Sequence, residues 1–268
     1  MPVPRVIRNL EIHAAHACNL ACESCSHYSN HGHKGIVTLD EARASMAPWS
    51  GRLAPKAFSI LGGEPTIHPD LTAFCEVARG MFPTSSIRIV TNGIFLHRHP
   101  RLPGWMAADG NAILDLSIHH DAPEYRERMG PVLKLLEAWG REHRIPMEIW
   151  YSSRNWTRRY IGYGAAMEPF ADGNPRLSWE SCRAKYCPQI HEGRLWKCAA
   201  LAYLPMQHAR FGLSSRWEPY LDYKPLQPGC SDAELDAFLA REEESQCGMC
   251  AAHPRRFALP MPIRSVAA

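Results

Sequence analysis

The chain has 268 residues, 46% of them hydrophobic, which is enough to bury one large core with a small second unit and excludes a disordered protein. Its 30 Lys and Arg nearly balance its 27 Asp and Glu, and no long run of one sign indicates a nucleic-acid partner. No apolar run approaches the roughly 18 residues of a membrane span, and the first residues lack the apolar stretch of a signal peptide. We therefore expect a cytoplasmic protein that does not bind membranes.

Strands and helices alternate along the first 150 residues. Apolar alternation predicts strands at Val6–Ala14, Ala57–Leu61, Ile87–Thr91, Ile113–His119 and Met147–Ser152, with a sixth near Arg159–Met167. Helices are predicted at Leu39–Met46, at about Leu71–Gly80 and around Gly130–His143. This order predicts an α/β fold with a parallel sheet, whose ligand site lies at the carboxyl ends of the strands.

The character of the chain changes after about residue 170. Segments punctuated by Gly and Pro carry most of the remaining cysteines, with a helix predicted near Asp232–Glu243. We therefore predict three parts: residues 1–170, a smaller cysteine-bearing domain at 171–255, and a loosely held tail at 256–268.

Ten cysteines in a chain of cytoplasmic character indicate metal binding, because thiols stay reduced in that compartment. One group is Cys18, Cys22 and Cys25, and a second comprises Cys182, Cys187, Cys198, Cys247 and Cys250. Cys75 lies among apolar residues of a predicted helix and is expected to be a small buried hydrophobe. Cys230 is not expected to be a ligand. The spacing thus predicts two metal sites.

The first triplet supplies three of the four thiolates that a cubane iron–sulfur cluster takes, so one iron would remain open to a ligand from outside the protein. A zinc ion bound by three cysteines and either His16 or His27 is the alternative, because three Cys and one His make a closed zinc site. The triplet alone leaves both alternatives open.

A second motif bears on this choice. With CNLACESC at residues 18–25 and GGEP at 62–65, the sequence resembles the radical S-adenosylmethionine (SAM) superfamily, in which these motifs follow the first two strands of the barrel. The resemblance implies a partial (β/α)6 TIM-like barrel and a [4Fe–4S] cluster on Cys18, Cys22 and Cys25. It also implies that SAM binds the open iron and is cleaved reductively to a 5′-deoxyadenosyl radical. A flavodoxin or ferredoxin would supply the electron.

The resemblance also suggests residues that contact SAM. These are the GGEP turn, Gly62, Gly63, Glu64 and Pro65, which would receive the ammonium group, and Asn92 and Ser117, which are equally consistent with a turn amide and a strand-face hydroxyl. The residue before the third cysteine is usually aromatic in this family but is Ser24 here, so His27 or Tyr28 is a candidate for the contact with adenine. His31 and His33 are candidates to line the mouth of the substrate site.

The second cysteine group resembles the twitch domain, a shortened SPASM domain that holds an auxiliary [4Fe–4S] cluster. The resemblance implies Cys182, Cys198, Cys247 and Cys250 as ligands, with Cys187 as an alternative to Cys182. A zinc knuckle built from Cys198, Cys247, Cys250 and one of the other two remains open.

Two clusters imply an oxidoreductase: the radical abstracts a substrate hydrogen, and the auxiliary cluster accepts the remaining electron. The expected substrate is a small polar molecule such as a sugar or aminocyclitol alcohol, which Arg154 would contact or deprotonate. One alternative is the modification of a ribosomally made peptide by cross-linking, thioether formation or epimerisation, although the seventeen residues before Cys18 are too few for a peptide-recognition domain. An alternative of another class is a non-catalytic zinc-binding protein.

Overall fold

The computed structural model describes residues 3–262, which are built around a seven-stranded sheet. The strands are β1 (Arg5–Ala15), β2 (Leu53–Gly62), β3 (Ser86–Thr91), β4 (Ala112–Ile118), β5 (Met147–Tyr151), β6 (Gln189–His191) and β7 (Arg194–Trp196). Their order in the sheet is β5-β4-β3-β2-β1-β6-β7. All neighbouring pairs are parallel except β6 and β7. The predicted α/β fold with a mostly parallel sheet is therefore confirmed.

Eight α-helices accompany the sheet in the described part of the chain. They are α1 (Leu39–Met46), α2 (Leu71–Met81), α3 (Leu102–Asp109), α4 (Pro123–His143), α5 (Pro175–Glu180), α6 (Ala199–Phe211), α7 (Glu218–Leu221) and α8 (Asp232–Ala240). Local sequence fixes some of their starts. At α1, the Thr38 hydroxyl accepts a hydrogen bond from the Glu41 amide, and the Glu41 carboxylate accepts one from the Thr38 amide.

The two faces of the sheet differ because successive side chains of a strand point to opposite sides. One face carries apolar residues such as Leu10, Phe58 and Ile89, which are fully buried with the apolar faces of α1–α4 in the main core. The other face carries a polar residue in the middle of each long strand. These residues, which we call the lumen residues, are Glu11, Ser59, Arg88, Asp115 and Glu148, and they line a cavity of about 710 Å³ inside the partial barrel.

The sixth strand was predicted in the wrong place. Near residues 159–167 the structure has only an isolated bridge between Ile161 and Glu168, because Gly162 and Gly164 adopt left-handed backbone angles (φ +77° and +59°) that turn the chain. The strand that follows β5 is instead β6, which lies beside β1 at the other side of the sheet.

The segment assigned to the second domain contributes to two cores. Its strands β6 and β7 extend the barrel sheet, while α6 packs with Tyr28, Tyr160 and Trp217 in a separate apolar cluster. Helix α6 was not predicted, and it forms although Pro205 lies within it. The boundary at residue 170 stays a prediction.

The described part of the predicted tail is packed rather than loose. Leu259 is 4% exposed, Phe257 packs against the main core, and the Pro262 carbonyl accepts a hydrogen bond of 2.6 Å from the Ala21 amide. These apolar side chains hold residues 256–262 on the barrel, next to the cysteine loop, whereas 263–268 lie outside the described residues. Within residues 3–262, no helix combines the length and the apolar character that crossing a bilayer requires.

Candidate functional site

One cavity at the carboxyl ends of the strands collects the predicted motif residues. Cys18, Cys22 and Cys25 line a space of about 230 Å³ together with Gly62, Gly63, Glu64, Asn92 and Ser117. We call it the cysteine cavity. The structure therefore brings together the triplet, most of the GGEP turn and the ends of β3 and β4, as the parallel sheet requires. Pro65 begins a short 3-10 turn just behind this wall and is buried.

The GGEP turn lies directly on the cysteine loop. The Gly63 amide donates to the Ala15 carbonyl, and the Glu64 amide donates to the Ala17 carbonyl, both at 2.8 Å. A Cβ atom on Gly63 would stand 2.3 Å from the Ala17 oxygen, and one on Gly62 would stand 2.1 Å from the Ala15 oxygen. Only glycine permits this approach of backbone to backbone, so the two motifs form one rigid wall of the cavity.

Glu64 joins the ends of two strands through its side chain, which is 1% exposed. One carboxylate oxygen accepts hydrogen bonds from the Thr66 hydroxyl and the Thr91 hydroxyl, both at 2.5 Å, and from the Thr66 amide. The other accepts from the Asn92 amide at 2.8 Å. Burial raises the pKa of Glu64, and these donors oppose that effect. The side chain predicted to receive an ammonium group is thus already engaged by four donors of the chain.

Asn92 and Ser117 both face the cysteine cavity. The side-chain amide of Asn92 donates a hydrogen bond of 2.7 Å to the Asn19 side chain, which connects the end of β3 to the cysteine loop. Ser117 also lines the lumen, so it lies where the two cavities meet. Their predicted contacts with SAM stay predictions.

Ser24 ties the cysteine loop to the segment after β5. It is 2% exposed and adopts a left-handed φ of +57°, and its hydroxyl accepts hydrogen bonds from the Arg159 and Tyr160 amides at 2.6 and 3.0 Å. The two candidates for the contact with adenine lie in different places. His27 lines the cysteine cavity, whereas Tyr28 is buried in the second core and donates a hydrogen bond to the Ala200 carbonyl.

The sequence analysis missed two residues of the cysteine cavity, His119 and Trp156. The Nδ1 atom of His119 lies 3.6 Å from the Cys22 sulfur, and burial lowers the pKa of His119 to about 4, so its ring is neutral at pH 7. The Trp156 indole donates to the Glu23 carbonyl at 2.7 Å and is thereby fixed beside the cysteine loop. Their positions immediately after β4 and shortly after β5 are the signal that could have identified them.

His31 and His33 do not line the cavity, contrary to the prediction. His31 is 2% exposed and hydrogen-bonds the Tyr160 hydroxyl at 2.9 Å, and His33 is 8% exposed and hydrogen-bonds the Gln207 side chain at 2.8 Å. Partners that are distant in sequence cover both rings. The two histidines therefore join the cysteine loop to the C-terminal part.

Four of the later cysteines lie together. Cys182 follows α5 and Cys198 precedes α6. Cys247 lies within a short 3-10 turn that packs against α5, and Cys250 directly follows that turn. Burial raises the pKa of Cys198 and raises that of Cys250 to about 12; the other thiolates of the group add to the rise, and Arg159 opposes it at Cys250. We call these four the auxiliary cysteines.

Cys187 lies near Cys182, and both line the lumen. Its sulfur accepts a hydrogen bond from the Asn9 side chain at 3.5 Å, and it lines the lumen beside Glu11. Burial and the neighbouring Glu11 carboxylate raise the pKa of Cys187. Cys75 is fully buried in α2, while Cys230 lies next to the Arg52 guanidinium, 3.4 Å away.

In the described part of the chain, no three His, Cys, Asp or Glu side chains converge on a point where they could share one metal ion. Each thiolate of a cubane cluster binds a different iron, so its ligands need not converge in this way.

Arg154 lines a neighbouring cavity of about 450 Å³ rather than the cysteine cavity. Its guanidinium lies 4.4 Å from the centre of the Tyr151 ring. Trp156 and Ser26 line both cavities, so these two residues separate Arg154 from the cysteines.

The lumen residues are functional candidates that the sequence analysis did not single out. Arg88 forms two hydrogen bonds of 2.6 Å to Asp115 and one of 2.7 Å to Glu148. Glu11 is 8% exposed and accepts hydrogen bonds from neutral groups: the side-chain amides of Asn9 and Gln189 and the thiol of Cys187. A polar residue in the middle of an otherwise apolar parallel strand was the available signal, since such strands are usually apolar throughout.

Residues 12–140 match the family model described as the Radical SAM superfamily. This chain carries a radical SAM domain. The family implies SAM and a [4Fe–4S] cluster as cofactors, in agreement with the motifs that line the cysteine cavity.

The chain is also similar to curated relatives over about half of its length. The chain is 30% identical over 139 residues to a GTP 3′,8-cyclase of Alkaliphilus oremlandii, covering 50% of this chain and 42% of the relative. It is 29% identical over 130 residues to a GTP 3′,8-cyclase of Tolumonas auensis, covering 48% and 38%. The chain thus spans about two fifths of the length of these curated relatives.

The crystal structure of BtrN in complex with AdoMet and 2-DOIA superposes with a TM-score of 0.51 at 14% identity, covering 96% of this chain and 100% of BtrN. This likeness shows a shared fold that extends beyond the radical SAM domain.

Proposed function

We propose that the protein is a radical SAM oxidoreductase with an auxiliary [4Fe–4S] cluster, which oxidises a small polar substrate such as a sugar or aminocyclitol alcohol. The observation that carries the proposal is the cysteine cavity, where Cys18, Cys22 and Cys25 face the GGEP turn and open toward a polar lumen. Because the chain is similar to GTP 3′,8-cyclases, a radical cyclisation is an alternative reaction.

The residues of the cysteine cavity fit the cofactors that the family implies. Three thiols are available for a cluster with one open iron, and the backbone edge at Gly62 and Gly63 forms a flat wall for the methionine end of SAM. When bound, the cluster and SAM supply a one-electron reductant and a carbon-centred radical. Trp156 forms one wall of the site and is held there by its hydrogen bond to the Glu23 carbonyl.

We assign the adenine contact to Trp156. Ser24 cannot supply an aromatic surface, and Tyr28 is turned into the second core. Trp156 is the remaining large aromatic side chain in the lining of the cysteine cavity, and its indole is held by the Glu23 carbonyl. His27 forms part of the same lining.

The auxiliary cysteines support a closed second cluster. Cys198, Cys247 and Cys250 each lie within electrostatic reach of Cys182, which favours Cys182 of the two candidates. Four thiolates fill all four iron sites, so this cluster would serve to accept an electron rather than to bind substrate.

The lumen supports a polar substrate. Glu11 faces it with neutral partners only, and burial raises the pKa of Glu11, which makes its carboxylate a better proton acceptor near neutral pH. We assign Glu11 to hold the proton of the substrate hydroxyl. The guanidinium of Arg154 cannot act as a base in a protein, so contact is the role left to it.

The cofactor assignment is tested by 5′-deoxyadenosine formation from SAM after anaerobic reconstitution and dithionite reduction. Wild type and Cys230→Ala, which removes a cysteine outside both groups, are expected to form the product. The Cys18→Ala/Cys22→Ala/Cys25→Ala variant is expected to form none. Product from the triple variant would refute the assignment of the triplet.

The auxiliary cluster is tested by counting iron in variants of the second group. Wild type should hold about eight irons, and Cys198→Ala/Cys250→Ala about four. Cys187→Ala is the matched control and should keep about eight. If Cys187→Ala loses as much iron as the double variant, Cys187 is a ligand and the assignment of Cys182 fails.

Peptide modification is a second candidate, favoured by the edge strand β5. Ile149, Trp150 and Tyr151 are each about half exposed there, and β5 pairs within the sheet only with β4. An extended peptide can bind such an edge as an added strand. Replacing Trp150 by Lys should then abolish turnover of a peptide substrate while leaving 5′-deoxyadenosine formation without substrate unchanged.

A further inference from the structure

Three arginines line the 450 Å³ cavity beside the cysteine cavity, and no Asp or Glu lines it with them. They are Arg154, Arg159 and Arg183, and we call this space the arginine cavity. It shares Trp156 and Ser26 with the cysteine cavity, and Trp150 and Arg183 with the lumen. It therefore opens onto both places where the proposed reaction would occur.

The contacts of these guanidinium groups leave them without a carboxylate partner. Within residues 3–262, Arg154 lies over the Tyr151 ring, Arg183 donates to the Asn155 side chain at 3.3 Å, and Arg159 lies 4.0 Å from the Cys182 sulfur. None of the three forms a salt bridge with a carboxylate there. Arg158 next to them does, with Glu23 at 2.8 Å, so acidic partners are present but face elsewhere.

We propose that the arginine cavity binds a phosphate group of the substrate. Guanidinium groups match phosphate oxygens with paired hydrogen bonds, and a dianion or larger charge suits three of them better than a single carboxylate does. Hydroxyl and amide groups of Ser26, Ser152, Asn155 and Thr157 supply further donors in the same lining. The substrate is then a phosphorylated polar molecule, anchored by its phosphate while its carbon skeleton extends toward the cysteine cavity.

That the bound phosphate belongs to the substrate rests on the proposed function. The test of phosphate binding itself needs neither reduction of the clusters nor cleavage of SAM. Binding of inorganic pyrophosphate to the reconstituted protein is measured by calorimetry, with acetate as the carboxylate probe. Wild type is expected to bind pyrophosphate and not acetate. Absence of pyrophosphate binding, or equal affinity for acetate, would overturn the proposal. Loss of 5′-deoxyadenosine formation alone would refute the proposed function and leave the phosphate site intact.

Two charge-matched double variants locate the site. Arg154→Gln/Arg183→Gln is expected to bind pyrophosphate at least about tenfold more weakly, the order expected for lost charge-assisted hydrogen bonds. Arg43→Gln/Arg141→Gln removes the same charge from exposed positions on α1 and α4 and should bind as wild type does. Equal weakening in both doubles would show a non-specific charge effect and overturn the proposal.

Arg154→Lys/Arg183→Lys separates folding from binding if the Gln variant proves unstable. It keeps both charges but loses the paired donors, so its affinity should fall between those of wild type and the Gln variant. An affinity equal to that of wild type would overturn the role given to the guanidinium groups.

Discussion

Replacing Gly63 by Ala tests whether the contact between the GGEP turn and the cysteine loop shapes the site. The new Cβ would lie 2.3 Å from the Ala17 oxygen, 2.6 Å from the Ala17 carbonyl carbon and 2.7 Å from the His16 oxygen. All three are backbone atoms, so the turn itself must move. Overpacking of this kind costs about 1–3 kcal/mol.

Moving the turn also weakens its two hydrogen bonds to Ala15 and Ala17, each contributing about 0.5–1.5 kcal/mol net. The free energy of unfolding should therefore fall by about 2–6 kcal/mol, which lowers the melting temperature by on the order of 10 °C in a chain of this size. SAM binding should weaken with it.

The assay is thermal and urea unfolding of the reconstituted protein, followed by SAM binding at equilibrium. Gly80→Ala is the matched control, because Gly80 lies in α2 and an added Cβ there would meet no neighbouring atom within 4 Å. Alanine favours a helix over glycine by about 1 kcal/mol, so this variant should be neutral or slightly stabilised. A Gly63→Ala variant as stable as Gly80→Ala, with unchanged SAM affinity, would refute the reasoning.

Three other variants probe the surroundings of the site. Ser24→Ala should lower the free energy of unfolding by about 1–3 kcal/mol, because the Arg159 and Tyr160 amides lose their acceptor. Ser24→Gly should lower it less, because glycine tolerates the φ of +57°. Equal urea midpoints for the two variants would contradict this prediction. Arg88→Gln should lower the free energy of unfolding by about 3 kcal/mol, because it leaves Asp115 buried without a cation. Arg101→Gln breaks the exposed pair with Asp70 and should lower it by under about 1 kcal/mol. Similar losses in both variants would show that burial of the ion pair does not matter here. Burial lowers the pKa of His191 from 6.5 to about 4, so unfolding exposes a ring that takes up a proton below pH 6.5. This ring alone should account for up to about 3 kcal/mol of the stability that wild type loses between pH 6.5 and 4. His191→Gln should therefore lose less than wild type over that range, and parallel pH profiles would contradict the assignment.

The barrel and its motif wall could be predicted because their signals are local. Apolar alternation located β1–β5, and α1 was predicted with the bounds that the structure gives it. The two motifs meet because parallel strands bring their carboxyl ends to one edge, a rule that needs no knowledge of side-chain packing.

The rest depends on contacts between residues far apart in sequence. Strand β6 has three residues, too few for a periodic pattern, and pairing with β1 defines it. His31 and His33 were candidates for the mouth of the substrate site, but in the folded chain Tyr160 and Gln207 bind and cover their rings. Cys182 and Cys187 are five residues apart in the sequence and both line the lumen, so only the folded chain shows that Cys198, Cys247 and Cys250 lie near Cys182.

The arginine cavity illustrates the same limit. Arg154 could be singled out by its place after β5, but Arg159 and Arg183 join it only through the folded chain. Arg154, a single catalytic candidate in the sequence, is thus one of three arginines that line the arginine cavity.

The most direct test of the central claim is the electron paramagnetic resonance spectrum of the reduced, reconstituted protein with and without SAM. We predict about eight irons, a signal from two clusters, and a change on SAM addition in wild type that is absent in Cys18→Ala/Cys22→Ala/Cys25→Ala. Zinc in place of iron, or iron whose spectrum SAM leaves unchanged in wild type, would contradict the account.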